Sequence, residues 1–555
     1  MIGSAPAQPF RRPSLAWRPS TRFAYAALAA AFLVATPVVA LILTALTPQA
    51  ESLWPHLIAN VIPQALGDTL LLLAGVGGLC AVVGVGTAWI VTQYEFAGRR
   101  SLEWLLVLPL AMPTYITAYI YVEVLGFQGP LQTALRAVTG WRSLRDYWFP
   151  DPRNLAGAVL IMAAVLYPYV YLTVRALFGM QGATIAEAAR TLGASRKTLF
   201  WRIALPMARP ALVAGLTLAL LEALNDIGAS EHLGVRTLTV SIYTTWLNRN
   251  SLAGAAQIAC LMLLIVVLLI LLEAKLRGQR RFALSVRQPR PLSRKPLHGA
   301  RAAAAIVLCL LPVLAGALVP GGFLVGQVLQ RGLIWQADAA LLQQLGHALF
   351  FSGLATILVV GLGLGIAMAL RRGRESWLAA ARRVSSLGYA IPGTVLALGL
   401  LIPIAALDNR IADTARAVFG LELGLLLIGS GGALVIAYTV RFLAIAISGV
   451  ESGFARISPR IDDAARALGS GNRALLTRIH WPLLRPAVAA ATLLVFVDCL
   501  KELPVTLLLR PLNVETLATV VYGHASRGVF EDGALAGLLI VLAGLYPAYR
   551  LARSS

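Results

Sequence analysis

Long stretches without a charged residue are the feature that most constrains how this chain can fold. The segments Phe23–Thr47, Thr69–Tyr94 and Gly254–Leu272 are each near or above the ~20 residues that an apolar helix needs to cross a bilayer. Hydrophobic residues make up 58% of the 555 residues and charged residues 13%, whereas a soluble domain carries roughly a quarter charged residues. The sequence therefore predicts an all-α integral membrane protein.

The apolar segments predict about twelve transmembrane helices. They lie near residues 23–47, 67–93, 103–124, 155–178, 209–229, 254–276, 302–328, 346–370, 384–406, 425–449, 485–507 and 531–551. All four cysteines fall inside apolar runs, and the six histidines have no metal-ligand spacing. We therefore expect no metal site built into the chain.

The net charge is +22, and the distribution of the basic residues along the chain indicates the membrane topology. With the N-terminus inside, Lys and Arg concentrate before helix 1, between helices 6 and 7 and after helix 8, whereas residues 48–66 contain none. This positive-inside bias predicts a multi-pass membrane protein with both termini in the cytoplasm. It also predicts a basic cytoplasmic tail at 1–22, a cytoplasmic linker at 278–301 and contact with membrane lipid, but no nucleic-acid partner.

An internal repeat divides the chain into two halves. The string Glu187-Ala-Ala-Arg-Thr-Leu-Gly193 recurs 276 residues later as Asp463-Ala-Ala-Arg-Ala-Leu-Gly469. Two basic loops of similar composition would be the alternative, but the same shift also carries Pro206 to Pro482 without a gap. The sequence predicts six helices in each half, 23–277 and 302–555. Because six is even, both halves enter the membrane in the same orientation, which is a parallel duplication.

The repeated motif predicts a short helix–turn–helix on the cytoplasmic surface. Gly193 lies between two stretches with helical spacing, where the turn favours a residue that is free in φ. Pro206 and Pro210 are expected to end this segment and begin the next helix. The small side chains of Ala188 and Ala189 give a flat face that suits a partner's groove.

The two copies resemble the cytoplasmic loop of binding-protein-dependent ABC permeases, which has Glu-Ala-Ala, a Gly six residues on and a Pro near its end. The resemblance implies the type I ABC importer permease fold in each half, and loops that dock as coupling helices into ATPase subunits. The implied coupling residues are Glu187, Ala188, Ala189, Gly193, Pro206, Asp463, Ala464, Ala465, Gly469 and Pro482. Asp463 replaces the family's Glu, which keeps the charge and shortens its reach.

The chain contains no G-x-x-x-x-G-K-[ST] phosphate-binding loop. We therefore expect a permease without enzymatic activity and without a cofactor of its own. ATP is expected on two copies of a separate cytoplasmic ABC ATPase subunit.

Two pairs of acidic residues lie deep in predicted helices. Glu222 and Asp226 are four residues apart, and the repeat maps them onto Asp498 and Glu502. Ionisable groups at such depth cost at least ~2.5 kcal/mol and usually face a cavity or a partner. Two interpretations stay open. The acids line a pathway for a cation, or they reach water or pair with a base, namely Lys501, Arg510 or Arg236. Asp226 and Glu502 are expected to be the more exposed pair.

Two prolines interrupt apolar helices. Pro113 lies in helix 3 beside Tyr115 and Tyr119, and Pro392 lies in helix 9 near Tyr389. A break there would free backbone carbonyls, which is tolerable beside a cavity. These residues are candidates for a gate or pathway lining, and helix packing with an interfacial aromatic belt is the alternative.

The strings around these residues resemble the fused permeases of ferric-iron ABC importers. They are Met112-Pro-Thr-Tyr-Ile-Thr-Ala-Tyr119, Leu387-Gly-Tyr-Ala-Ile-Pro-Gly393 and Lys501-Glu-Leu-Pro-Val-Thr-Leu-Leu-Leu-Arg-Pro511. The resemblance implies an ATP-driven importer for ferric iron in the bacterial cytoplasmic (inner) membrane, with a periplasmic or lipid-anchored binding protein. Permeases for thiamine, polyamines or phosphonates share this architecture. A self-contained secondary transporter is the competing class.

Overall fold

The computed structural model describes residues 21–48, 52–180, 191, 193, 195–277, 294–336, 338–372, 376–422 and 424–554. The first half has helices Thr21–Leu46, Trp54–His56, Ile62–Gln93, Arg99–Leu105, Thr114–Leu125, Pro130–Thr139, Leu155–Met180, Arg196–Thr198, Leu205–Asn225, Ile227–His232, Leu238–Leu247 and Leu252–Arg277. The second half has helices Gly299–Val313, Val319–Gln330, Ala339–Arg372, Ser376–Ser386, Gly393–Phe419, Leu426–Gly429, Gly432–Ala455, Pro459–Ala467, Asn472–Ala474, Trp481–Leu500, Pro504–Leu509, Leu517–Ser526 and Ala534–Ser554.

Within these residues the helices form eleven apolar stretches long enough to cross a membrane, and a twelfth that is bent by 93°. We number them as spans 1 to 12: Tyr25–Leu46, Trp54–Gln93, the bent pair Arg99–Ala111 with Thr114–Thr139, Leu155–Gly179, Leu199–Asn225, Leu252–Arg277, Gly299–Gln330, Ala339–Arg371, Gly393–Phe419, Gly432–Ala455, Leu475–Leu500 and Phe530–Arg550. The predicted all-α membrane fold with two six-helix repeats is confirmed.

Within the described part of the chain, four spans contain a short π-helical segment that precedes a proline. The segments are Leu57–Val61, Leu199–Ala204, Leu314–Leu318 and Leu475–His480, and in each case a proline stands second in the α-helix that follows. Proline lacks an N–H and crowds the carbonyl four residues before it, and the wider π turn relieves both problems. The prediction that Pro206 and Pro210 end one helix and begin another is therefore wrong. The chain stays helical from Leu199 to Asn225.

Each half contains a helix break at a proline. Pro113 precedes the helix Thr114–Leu125 of span 3, and Pro392 precedes the helix of span 9. Short 3₁₀ helices, Leu108–Ala111 and Leu387–Ala390, precede the breaks, and each proline is the extended N-cap of the following helix. The expected breaks at these prolines are thus present. Because the two 3₁₀ helices occupy matching places, they give the structural correspondence between the halves in this region.

The first span of each half packs against the other half. Span 1 lies against spans 8 and 9, and span 7 lies against spans 3 and 4. Pro37 approaches Gly399 so closely that a Cβ on Gly399 would lie 2.2 Å from the Pro37 carbonyl oxygen. On the other side, the Tyr121 hydroxyl donates to the Ala315 carbonyl at 2.6 Å. This reciprocal exchange makes the two halves one packed unit.

We expect Gly399→Ala to destabilise the chain by roughly 1–3 kcal/mol, because the added methyl group would overlap the backbone of span 1. The measurement is the thermal unfolding midpoint of the purified chain in detergent. Gly361→Ala is the matched control, since a Cβ there meets no atom within 4 Å. Equal midpoints for the two variants would show that span 1 does not pack closely on span 9.

One ion pair occurs in both halves with its charges exchanged. In the first half Arg175 lies 3.4 Å from Glu103, and in the second half Arg382 lies 2.7 Å from Glu451. The repeat places Arg175 opposite Glu451, and the matching 3₁₀ helices place Glu103 opposite Arg382. The duplication therefore kept the contact between the helix that precedes the proline break and the fourth span of each half, and it reversed the polarity of that contact.

Residues 1–20, within the predicted basic tail, and 278–293, within the predicted linker, lie outside the described residues. The linker's end lies beside the first half, because Lys295–Pro296 pairs in parallel with Tyr94–Glu95. The next helix begins at Gly299. The predicted boundary at 301 is therefore too late, because the helix includes the small residues that precede the first strongly apolar run.

Candidate functional site

Side chains from both halves surround one cavity beside the broken helices. Among the described residues its charged lining is Glu222, Asp226, Arg441, Asp498, Lys501 and Glu502. All four acids that the sequence singled out therefore come together. Pro113, Tyr115 and Tyr389 also line this cavity.

Asp226 and Glu502 accept hydrogen bonds from backbone N–H groups at the start of the short helices that follow spans 5 and 11. Span 5 stops at Asn225, and the Asp226 carboxylate accepts a hydrogen bond from the Ala229 N–H at 2.8 Å, which caps the next helix. Glu502 accepts from the Val505 N–H at 3.1 Å, at the matching place in the second half. A carboxylate there compensates unpaired N–H groups at a helix start.

The expectation that Asp226 and Glu502 are the more exposed pair is wrong for the second half. The Glu502 side chain is 4% exposed, compared with 22% for Asp498. The prediction assumed a continuous helix, but span 11 ends at Leu500 and the chain turns before Pro504. The turn carries Glu502 into the protein interior.

Glu222 and Asn225, about one helical turn apart, each form a hydrogen bond with the second half. The Tyr389 hydroxyl donates to Glu222 Oε1 at 2.6 Å. The Gly393 N–H, freed by the break at Pro392, donates to Asn225 Oδ1 at 2.6 Å. These two direct hydrogen bonds therefore join the halves at the level of the cavity.

The basic partners match the expectation only in part. Lys501 pairs with Asp498 at 2.8 Å, as one of the interpretations anticipated. The other two expected bases have different contacts. Arg510 pairs with Glu515, and Arg236 donates to Gln64 at 3.2 Å.

Arg441 was missed by sequence reasoning. It lies 3.6 Å from Glu502 and donates to the Ile391 carbonyl, which the break at Pro392 leaves free, at 3.2 Å. Its signal in the sequence is a lone base in the apolar run of span 10. Asn225 was also missed, although the repeat places it opposite Lys501.

The aromatic candidates separate into two groups. Tyr115 lines the cavity, whereas Tyr119 packs away from it, with ring centroids 4.7 Å from His232 and 5.8 Å from Phe530. Pro392 also lies outside the lining and acts through the break that it creates. Tyr119 therefore belongs to the packing interpretation, and Tyr115 and Tyr389 remain pathway candidates.

A further contact joins the halves beyond Asp226. The Tyr522 hydroxyl, from the second half, donates to Glu231 Oε2 at 2.7 Å. Glu231 belongs to the short helix Ile227–His232 that Asp226 caps. Around the site the halves therefore form hydrogen bonds at two levels: at the cavity, through Glu222 and Asn225 of span 5, and five residues after Asp226, through Glu231.

The second loop motif forms the helix Pro459–Ala467, capped by Ser458. Gly469 has φ +80° and Gly193 has φ +79°, so the predicted glycine turn is present in both copies. Asp463, Ala464 and Pro482 are exposed, whereas Ala465 is buried. Glu187, Ala188 and Ala189 lie outside the described residues, and Pro206 is exposed.

A buried polar group anchors the second loop helix to the spans. Asp462 accepts from Arg371 at 3.1 Å and contacts His480 Nε2 at 2.9 Å. Burial raises the pKa of the Asp462 carboxyl, but hydrogen bonds from Arg371 and His480 outweigh burial and hold the pKa below its ordinary value. In the first half the repeat places Ala204 opposite His480. The first half therefore has no imidazole at the position of His480.

We expect Asp462→Asn to cost roughly 1–3 kcal/mol at neutral pH, because it weakens two charge-assisted contacts. The lowered pKa means that the wild-type carboxylate stabilises the fold above its ordinary pKa of about 3.9 and loses this effect as pH falls through its folded pKa. The difference in unfolding midpoint should therefore shrink below about pH 4. Asp463→Asn, at the exposed neighbour, is the control. A pH-independent difference would contradict this assignment.

One protein-family model matches each half of the chain separately. The family model described as "Binding-protein-dependent transport system inner membrane component" matches residues 81–280 and again 361–555. The Fe(3+)-transport system permease protein FbpB 2 of Haemophilus influenzae is 24% identical over 88% of this chain and 89% of its own length.

Two relatives from Escherichia coli match shorter parts. The molybdenum transport system permease protein ModB is 26% identical over 34% of this chain and 82% of its own length. The sulfate transport system permease protein CysT is 35% identical over 27% of this chain and 50% of its own length. The chain belongs to the family of binding-protein-dependent transport system inner membrane components, and it carries the permease domain of that family twice in tandem.

Proposed function

We propose that this chain is the permease of an ATP-driven importer for ferric iron, and that the cavity between its halves is the translocation path. The carrying observation is the lining of that cavity, where the described residues place four acids against two bases. Such a lining favours a cation. The similarity to a ferric-iron permease over most of both chains supports the same cargo.

We propose that ATP is hydrolysed by two copies of a separate ATPase subunit, which dock on the loop motifs at 187–206 and 463–482. A binding protein delivers the cargo to the opposite face. The chain then lies in the inner membrane of a bacterium, and the positive-inside bias supports a cytoplasmic position for the loops and both termini. Exposed side chains on the helix Pro459–Ala467 support the docking role.

Transport follows from the two levels at which the halves touch. Opening toward the binding protein separates Glu231 from Tyr522 and admits the cargo to the cavity. Opening toward the cytoplasm separates Glu222 from Tyr389, and the cargo leaves. Within the described residues no three His, Cys, Asp or Glu side chains are arranged to hold a metal ion.

An anion is the second candidate cargo. Lys501 and Arg441 line the same cavity, and permeases named for molybdenum and sulfate are similar to parts of this chain. Among permeases of the same architecture, those for phosphonates would share this anion chemistry, whereas those for polyamines or thiamine would share the cation chemistry.

The test is uptake by proteoliposomes that hold the chain, its ATPase and its binding protein. Radiolabelled ferric iron, molybdate, sulfate and thiamine are offered separately, with and without internal ATP. We expect ATP-dependent accumulation of ferric iron alone. Accumulation of molybdate or sulfate without iron would replace the proposed cargo. Uptake that follows an ion gradient without ATP would establish a secondary transporter instead.

A further inference from the structure

Lys501 occupies a position where the two halves differ. The repeat that maps Glu222 onto Asp498 and Asp226 onto Glu502 also maps Asn225 onto Lys501. In the first half an amide accepts a hydrogen bond from the other half. In the second half an ammonium group at the same place pairs with an acid of its own helix. The duplication kept the acids and changed the residue between them.

The reason that Asp498 takes this partner lies in the 3₁₀ helices. Tyr389, the third residue of Leu387–Ala390, donates its hydroxyl to Glu222. The third residue of the matching Leu108–Ala111 is Leu110, which has no hydroxyl to offer Asp498. Lys501 provides the missing donor, and it also brings a positive charge into the cavity.

The two bases of the cavity differ in freedom. Arg441 is buried, and its guanidinium contacts both the Ile391 carbonyl and Glu502. The Lys501 side chain is 29% exposed and contacts Asp498 through a flexible four-carbon stem. Of these two, Lys501 is therefore the cation that can move aside without breaking a helix contact.

A second observation points to a ligand beside the acids. Tyr115 lines the same cavity and is 5% exposed, yet its hydroxyl has no hydrogen-bond partner among the described residues. Buried hydroxyls are normally paired. Carboxylate and hydroxyl oxygens together are hard donors, which suit a multivalent cation.

We infer that Lys501 is a tethered counter-cation that occupies the cation subsite of Asp498 and Glu222 when cargo is absent, and that a multivalent cation must displace it. A monovalent ion carries no more charge than the ammonium group and gains little by the exchange. A trivalent ion interacts more strongly with the same carboxylates. Lys501 thereby sets the charge that a cargo needs. This inference rests on the proposed cationic function of the cavity.

The test uses Tb³⁺, a hard trivalent probe whose luminescence nearby tyrosines sensitise, with the purified full chain in detergent. Lys501→Met removes the competitor and should tighten Tb³⁺ binding by about tenfold or more. Lys501→Arg should match the wild type. Asp498→Asn combined with Lys501→Met should return the affinity to the wild-type value or weaker. Lys501→Gln repeats the test should the Met variant fail to elute as a monodisperse, folded protein.

Unchanged or weaker Tb³⁺ binding in both folded variants, Lys501→Met and Lys501→Gln, would overturn the inference, because Lys501 would then not compete with cations. If the variant that also carries Asp498→Asn binds Tb³⁺ as tightly as Lys501→Met alone, the Tb³⁺ site lies elsewhere and the inference is overturned as well. The measurement needs neither ATPase, binding protein nor physiological cargo. A failure of the ferric-iron proposal would appear in the uptake experiment, so the two failures are distinguishable.

Discussion

Replacing Glu222 by Gln together with Asp498 by Asn is expected to lower ferric-iron uptake by about 100-fold or more. Each carboxylate lost about 7 Å from the cargo removes on the order of 2 kcal/mol of attraction per unit of cargo charge at an effective dielectric constant of 20. Each 1.4 kcal/mol is about tenfold in an equilibrium. The measurement is the initial rate of ATP-dependent uptake in proteoliposomes.

This double change preserves shape. Gln at 222 still accepts from the Tyr389 hydroxyl, and the carboxylates of Asp226 and Glu502 still cap their helices. Asn at 498 keeps an amide oxygen for Lys501 but loses the ion pair, so the unfolding midpoint is measured beside uptake and a modest decrease is expected. Glu531→Gln with Asp532→Asn is the matched control, because these acids pair with Arg331 away from the cavity. If the cavity variant takes up iron at the wild-type rate, then Glu222 and Asp498 do not line the path.

Leu468→Asp is expected to weaken binding of the ATPase by roughly 30-fold or more. Leu468 follows the helix Pro459–Ala467 and is 86% exposed, so it is a large apolar side chain without cover in the isolated chain. A hot-spot residue near the centre of an interface costs about 2 kcal/mol or more when it is truncated, and an unpaired carboxylate buried there adds a desolvation cost. The measurement is the dissociation constant between purified permease and ATPase, with uptake as a second readout.

The control for Leu468→Asp is Leu512→Asp. Leu512 is 99% exposed and lies outside both loop motifs, so the same substitution there should leave ATPase binding unchanged. The repeat places Leu192 at the corresponding position of the first loop, and adding Leu192→Asp should deepen the loss. If Leu468→Asp binds the ATPase as tightly as Leu512→Asp, then the loop helix is not a docking surface.

The architecture was predictable because its signals are long and repeated. Apolar runs, the basic bias and the 276-residue repeat each extend over many residues, so they predict twelve helices in two parallel halves. The helix boundaries differ from the prediction where a proline alters the local backbone hydrogen bonds. Pro206 was expected to start a helix, but a π turn at Leu199–Ala204 carries the helix through it.

The sequence predicted which acids belong to the candidate site, but it did not predict which residues they contact. Repeat symmetry indicated Glu222 and Asp498, and the structure brings them to one cavity. Arg441 lies on another span, and only packing shows that it faces Glu502. The reciprocal exchange of spans 1 and 7 between the halves is likewise a tertiary property, and no local pattern indicates it.

The contact between Glu231 and Tyr522 allows the most direct test of a path between the halves. Glu231→Cys and Tyr522→Cys, placed in one chain, are joined by a short bifunctional thiol reagent that dithiothreitol cleaves, and ferric uptake is measured before and after cleavage. A monofunctional reagent is the control for blocking. We predict that cross-linked importer does not transport and that cleavage restores uptake, because cargo enters only when Glu231 and Tyr522 separate. Uptake at the uncross-linked rate in fully cross-linked protein would contradict a path between the two halves.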